Sequence, residues 1–543
     1  MTTFDYIVIG AGSAGCVLAN RLSADPSVRV LVLEAGGSDR KLSVRIPSAF
    51  AKQFRTELDW NYQSEPEPSL IGRSVYLPRG RALGGSSSMN SMLYIRGHRS
   101  DYDWWAERGA TGWSYAEVLA YFKRSEDNER LKDEYHAQGG PLHVSDPSWT
   151  SELADRFIAS GEAIGIRRNN DFNGAEQDGI GVMQRTAKGG RRWSAADAFL
   201  HPVRKERENL TVVTGANVRR IGLDGTRAVG ADYEREGTIR SARCEREVIL
   251  SAGAYNSPQL LMLSGIGPAD HLRSVGIKPV VDSPHVGRHL MDHPLASTTY
   301  TCTEAVTLGD ATHPKYLIEY LVGRGRGKLG SSIAEAVAHV RLQQGIPAPD
   351  FQILFAPAYY SDHGFRSFPG HAFSTGPVFN RPTSEGEVRL RSADPHDPPA
   401  IRNNWLSDPA EMRAMIEGVR LAREFAESGP LSAVVGRNID PGPGVRSDAD
   451  LEAWLRAEVQ HSYHASCTCR MGDPEDGVLD EALRVRGVEG LRVADCSIMP
   501  RVTSGNTNAP AIMIGERAAD LVLARGLARS EPLSQERFEP TIT

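Results

Sequence analysis

The first thirty-four residues constrain the fold more than any other stretch of the chain. Tyr6 to Ile9 is a short, uninterrupted apolar run, as expected of a strand buried on both faces. It leads into Gly10, Gly12 and Gly15, a Gly-x-Gly-x-x-Gly turn. Gly10 suits the tight turn, Gly12 lets the backbone approach a pyrophosphate, and Gly15 permits close helix–strand packing. The helix that follows would aim unpaired N–H groups and a favourable dipole at the phosphates. Val28 to Leu33 is a second apolar run, and it ends at Glu34, nineteen residues beyond Gly15. An acid at that place can accept hydrogen bonds from ribose hydroxyls. Strand, glycine turn, helix, strand and acid in this order predict a Rossmann-type unit that binds an adenine dinucleotide. The motif alone does not separate NAD from FAD.

A chain of 543 residues exceeds what one hydrophobic core organises, so two or more domains are expected. Leu210 to Gly215, Glu247 to Ser251 and Gly490 to Asp495 repeat the buried-strand style. The second of these feeds a glycine turn and a helix with Pro258 near its first turn. Tyr76 to Tyr94 reads as a glycine- and serine-rich loop, dense in donors, running into a helix. Ala511 to Ala524 carries a helical apolar stripe. Between about Pro294 and Asp450, strand-like pieces at 350–355 and 386–391 mix with amphipathic helices, without nucleotide-type turns. The pattern predicts an α/β protein (α+β overall) with a Rossmann-like domain assembled from 1–160, 200–295 and 460–530. A substrate-binding domain, 161–199 and 296–459, is inserted on an antiparallel sheet flanked by helices; 531–543 is a tail.

Composition excludes some classes. A net charge of −6 leaves no footprint for nucleic acid. No stretch approaches the roughly 20 apolar residues of a membrane-spanning helix, and nothing resembles a secretory signal. The expectation is a cytoplasmic protein, or one peripheral to the inner membrane. Cys16, Cys244, Cys302 and Cys496 are scattered; Cys467 and Cys469 lie close to His464, but the spacing is not that of a zinc site, so no metal is expected.

Four segments together resemble the glucose–methanol–choline family of flavin oxidoreductases. They are the N-terminal unit, Pro78 to Asn90, Gly253 to Pro268, and the pair of C-terminal segments Ser462 to Ser466 and Ser504 to Asn508. They lie in the family's order over nearly the whole chain. The resemblance implies FAD, with Gly10, Gly12, Gly15 and Glu34 on its ADP half. It implies Gly84, Gly85, Ser86 and Asn90 along the pyrophosphate and flavin, and Val218 at the adenine. Asp495, Asn508, Ile512 and Met513 would flank the ribityl chain and ring. Some relatives attach FAD through a histidine just before the residue matching Asn90; here that residue is Met89, so non-covalent FAD is expected.

The family implies an alcohol oxidation, in which a hydroxyl proton and a hydride leave the substrate and the flavin takes the hydride. A neutral alcohol needs a base to become a good donor, and positioned bases contribute about 10²–10⁴-fold. His464 suits that role because imidazole titrates near neutral pH, and Asn506 suits the partner that fixes the oxygen. Local text resembles the bacterial choline dehydrogenase and alkanol dehydrogenase branch: Leu93 to His98, Asp171 to Gly174, Trp193 to Ala196 and Gly505 to Pro510. A choline site needs a carboxylate and aromatic faces. Glu335 and Phe355, with Tyr359 and Tyr360 beside them, are the candidates for substrate contact. The expected activity is an FAD-dependent alcohol dehydrogenase or oxidase acting on a non-sugar primary alcohol. Choline dehydrogenase, an oxygen-using oxidase or a redox-inactive hydroxynitrile lyase are the alternatives. The acceptor (quinone, dye or oxygen) and the oligomeric state are left open. His293 reads as structural or flavin-side, and His98, His136 and His143 as solvent or loop residues.

Overall fold

The apolar runs at the N-terminus become the centre of a parallel sheet. A computed structural model of the chain describes residues 3–524; the tail expected at 531–543 lies outside them. In the first sheet the strands run Leu210–Thr214, Val30–Glu34, Thr3–Ile9 and Thr238–Leu250, with Leu491–Val493 beside the end of the last. All these neighbours pair in parallel, Ile9 lying between Leu33 and Leu250. The Val30–Glu34 strand is buried along its whole length, and Thr3–Ile9 in its last five residues, as a two-sided cover requires. Thr238–Leu250 is long enough to serve twice. Its first half closes an antiparallel meander with Arg227–Arg235 and Asn217–Asp224, and its second half joins the parallel core.

Two glycines show why the first turn tolerates no side chain. Gly10 has φ +99°, and a Cβ there would lie 2.4 Å from the Ser251 carbonyl oxygen. A Cβ on Gly15 would lie 1.9 Å from the Gly10 oxygen. The helix Ser13–Leu22 can therefore sit directly on the strand end, with helix Asn508–Val522 packed against it.

The second sheet is antiparallel, in the order Val435–Asp440, Thr298–Cys302, Ala372–Phe379, Phe351–Ala356, Ala336–Val340 and Gly179–Val182. Helices Glu152–Ala163 and Pro409–Glu427 cover one face, where Phe157 stacks on Phe355 and Phe425 at 5.0 and 4.7 Å. The other face looks onto a cavity lined by Leu354, Ala356, Ser374 and Gly376. Residues 152–160, read from the sequence with the nucleotide layer, pack here on the second sheet, because their apolar stripe (Leu153, Ala154, Phe157, Ile158) belongs to its core.

The loop Tyr76 to Tyr94 departs from expectation. Instead of running into a helix it makes a single 3₁₀ turn, Gly85–Ser88. The hydroxyls of Ser87 and Ser88 donate to the carbonyls of Gly84 and Leu83 at 2.6 and 2.7 Å, an alternative to helical pairing. His136 departs too. It is buried, with its ring nitrogens 3.1 Å from Glu126 and Asp171, beside an Arg96–Glu126 ion pair at 3.0 Å. Asn173 binds the backbone of Arg96 and Tyr94, so two of the branch-like segments hold one another. No helix among the described residues is long and apolar enough to cross a membrane.

Candidate active site

A cavity of about 600 Å³ runs between the two sheets, from the first glycine turn to the C-terminal segments. At its nucleotide end lie Gly10, Gly12, Glu34 and Val218. Glu34 is buried, and its two oxygens accept from the backbone N–H of Ala11 and Gly36, both at 2.8 Å. Burial raises its carboxyl above the ordinary range, against the lowering effect of those two N–H groups. Gly85 and Ser86 press onto the turn from the opposite side: a Cβ on Gly85 would lie 2.8 Å from the Gly12 Cα. Backbone therefore meets backbone where a pyrophosphate would pass, a cradle that added side chains would fill. Asn90 lines the wall beyond, its oxygen accepting from Arg192 at 2.7 Å and from the Met92 N–H at 3.0 Å. Asp495 also lines the cavity, holding the Gly253 N–H and the Ser257 hydroxyl at 2.9 and 2.6 Å. Asn508 begins the last helix and accepts from the Ser13 hydroxyl at 2.8 Å. A dinucleotide fits this donor set and these close approaches.

Several residues expected on the cofactor do not reach the cavity. Gly15 acts one layer back, through packing. Gly84 meets Ser88 and Ala196 instead. Ile512 and Met513 are buried in the last helix among core residues, and Ala511 is the position of that turn that faces the space.

At the far end stand His464 and Asn506. His464 follows the short strand Gln460–His461, and Asn506 sits in the turn that precedes the last helix. Forty-two residues apart in sequence, they meet with Asn506 Nδ2 3.0 Å from His464 Nε2. Gln352 Nε2 faces the Asn506 oxygen at 3.4 Å. The carboxylate of Asp292 accepts from the backbone N–H of His464 and of His293, both at 2.8 Å. Its second oxygen lies 3.3 Å from His461 and 3.5 Å from Arg79. Burial would raise Asp292, but His461 and Arg79 hold it down, to about 2. Burial first, and the adjoining His293 second, lower His464 well below the usual imidazole range. The ring that faces the cavity is neutral.

The walls around this pair are apolar and aromatic. Phe50, Phe54, Met89, Ile333, Tyr360 and Tyr463 line them, with the hydroxyls of Tyr360 and Tyr463 2.8 Å apart. Sequence reasoning missed Phe50 and Phe54, which lie four apart in the irregular stretch after Gly36, and Tyr463, the immediate neighbour of His464. The two expected substrate residues need correction. Glu335 faces away from the cavity, and is fully buried while accepting from the Ser151 N–H at 2.7 Å and the Ser331 hydroxyl at 2.6 Å. Phe355 packs against Phe157 under the covering helices. Side chains alternate along these segments, so Ala334, Leu354 and Ala356 take the cavity side instead.

The GMC oxidoreductase family model matches residues 4–295 with its N-terminal part and 382–515 with its C-terminal part. This chain belongs to the GMC oxidoreductase family. As a GMC oxidoreductase it uses FAD and acts on CH–OH donors. It is 42% identical over 546 residues to the oxygen-dependent choline dehydrogenase of Rhizobium etli, covering 99% of this chain and 98% of that one. It is 43% identical over 528 residues to an uncharacterized GMC-type oxidoreductase of Mycobacterium tuberculosis, covering 96% and 99%. Among solved structures it resembles pyridoxine 4-oxidase from Mesorbium loti, with a TM-score of 0.89 and 30% identity over 97% and 100% of the two chains.

Proposed function

We propose that this GMC oxidoreductase oxidises a neutral, non-sugar primary alcohol to its aldehyde, with His464 as general base and Asn506 as the group that fixes the alcohol oxygen. One observation carries the reading: His464 Nε2 and the Asn506 amide, 3.0 Å apart, front the same cavity as the dinucleotide cradle. An alcohol hydroxyl entering between them donates its proton to Nε2 and accepts from the amide, which stabilises the charge that develops on oxygen. FAD, when bound, supplies the two-electron acceptor. The apolar and aromatic walls exclude water from that contact and favour an aliphatic or aromatic substituent. FAD is held without a covalent bond, because the residue before Asn90 is Met89, whose thioether cannot serve as the attachment point. The dehydrogenase branch that the local sequence resembles speaks for an acceptor other than oxygen, whereas the Rhizobium etli relative, an oxygen-dependent choline dehydrogenase, speaks for oxygen.

A second reading is choline, favoured by the choline dehydrogenase relatives and by the aromatic faces of Phe50, Phe54, Tyr360 and Tyr463. Charge argues against it. The carboxylates on the cavity wall are Glu34, Asp397 and Asp495. Glu34 and Asp495 are tied to backbone at the nucleotide end, and Asp397 lies beside Gln259. Glu335 points elsewhere.

The test is anaerobic titration of the yellow protein with a panel of alkanols, aryl alcohols and choline, read by bleaching of the flavin spectrum. Bleaching by neutral primary alcohols, lost in His464→Ala with FAD content intact, is the expected result. Bleaching by choline alone would replace the substrate class. No bleaching by any alcohol would refute redox turnover and favour a lyase. Reoxidation in air compared with reoxidation by a quinone then separates oxidase from dehydrogenase.

A further inference from the structure

We infer that His293 is the positioning residue that decides which ring nitrogen of His464 carries the proton, leaving Nε2 bare toward the cavity. The inference rests on the reading of His464 as the base. Its starting point is an unusual contact: the two imidazoles meet Nδ1 to Nδ1 at 2.8 Å, their planes inclined at 76°. Like nitrogens form a hydrogen bond only when one bears hydrogen and the other does not. Both rings are buried and neutral. Burial, against the raising effect of Asp292, lowers His293 to about 4, and His464 is lowered as described above. Each ring therefore holds one proton, and two arrangements are open.

The far side of His293 chooses between them. His293 Nδ1 is engaged by His464, so Nε2 is the nitrogen left for the backbone carbonyl of Asn380, whose influence on the buried ring favours a proton there. A carbonyl can only accept. A bare Nε2 would set two lone pairs against each other in a buried site, so the proton of His293 belongs on Nε2. Its Nδ1 then accepts from His464 Nδ1–H, and His464 Nε2 is left as the lone-pair nitrogen. The cavity side agrees: the Asn506 amide N–H donates to that nitrogen at 3.0 Å, with the Asn506 oxygen turned to the Gln352 amide at 3.4 Å. The opposite tautomer needs both amides reversed together and the His293 lone pair turned onto Asn380. Asp292, which binds both backbone N–H groups, keeps the two rings in this relation. A chain of fixed donors thus runs inward from Asn506 through His464 to His293, and the base meets its substrate in the competent form.

The experiment is ¹⁵N NMR of holoenzyme labelled at histidine, with the His464 signals assigned by their loss in His464→Gln. Wild type is expected to show a protonated Nδ1 and a bare Nε2. His293→Leu takes away the acceptor, should shift His464 toward the other tautomer, and should slow flavin reduction about 10- to 100-fold at unchanged FAD content. His293→Asn, whose amide oxygen can stand where Nδ1 stood, should recover most of that rate. A protonated Nε2 in the wild type, or an unchanged tautomer in His293→Leu, would overturn the inference even if one variant failed to fold. Wild-type reduction rates in His464→Gln would instead overturn the base role, and the ¹⁵N spectrum would still decide the tautomer.

Discussion

Asp292 is the residue whose replacement most directly measures how the catalytic end is held. It is fully buried, and one oxygen serves two backbone donors at 2.8 Å while the other faces His461 and Arg79. Its carboxyl lies at about 2 instead of the ordinary 3.8, a difference worth about 2 kcal/mol at 1.36 kcal/mol per unit. A depressed carboxyl favours the folded state above its ordinary value, and that contribution disappears as pH falls through about 2. Asp292→Asn keeps an acceptor for both N–H groups and removes only the charge, so it should cost about 2 kcal/mol. Asp292→Ala also orphans two buried donors, at about 1–3 kcal/mol each, for a total of about 4–8 kcal/mol. At roughly 2 °C per kcal/mol for a chain this large, the melting midpoints fall about 4 °C and at least twice that. Differential scanning calorimetry of the holoenzymes reads both, and anaerobic flavin reduction should fall further in the alanine variant, whose His464 backbone is released. Equal midpoints for the two variants would refute the backbone clamp, and a wild-type midpoint for Asp292→Asn would refute the role of charge.

Three further outcomes are expected. Flavin reduction should be independent of pH through the neutral range and decline only in acid, because burial, His293, Arg79 and His461 together, against Asp292, keep His464 neutral; a midpoint near 6.5 in the stopped-flow rate would contradict this. Gly15→Ala should yield protein depleted of FAD, since a Cβ 1.9 Å from the Gly10 oxygen forces the helix off the strand end; the ratio of flavin to protein absorbance after gel filtration checks it. Glu335→Gln should leave KM for alcohols and for choline unchanged, because its oxygens are occupied by Ser151 and Ser331 away from the cavity; a KM for choline raised tenfold would restore the residue to the substrate site.

The parts of the fold that were legible in the sequence obey local rules. Tyr6 to Ile9 and Val30 to Leu33 are apolar throughout because both faces of a parallel strand are covered, and the glycines mark where backbone meets backbone. The meeting of His464 and Asn506 was legible only through resemblance, since nothing in the local text of either residue announces the other. Glu335 and Phe355 failed for a nameable reason: a strand's side chains alternate, and composition alone does not say which side a cavity occupies. Ile512 and Met513 are buried next to Ala511, the position of that helix turn that takes the cavity side.

From its sequence alone the chain was committed to a dinucleotide cradle, a Rossmann-like domain with an inserted antiparallel-sheet domain, and a histidine–asparagine pair of known type. The cradle and the architecture follow from patterns carried by neighbouring residues, and the pair from the family resemblance. Only the tertiary structure decided what surrounds the pair: the aromatic wall of Phe50, Phe54, Tyr360 and Tyr463, the Asp292 clamp, and the His293 ring 171 positions from His464. Such contacts join residues distant along the chain, and they exist only once the two sheets have closed on a shared cavity.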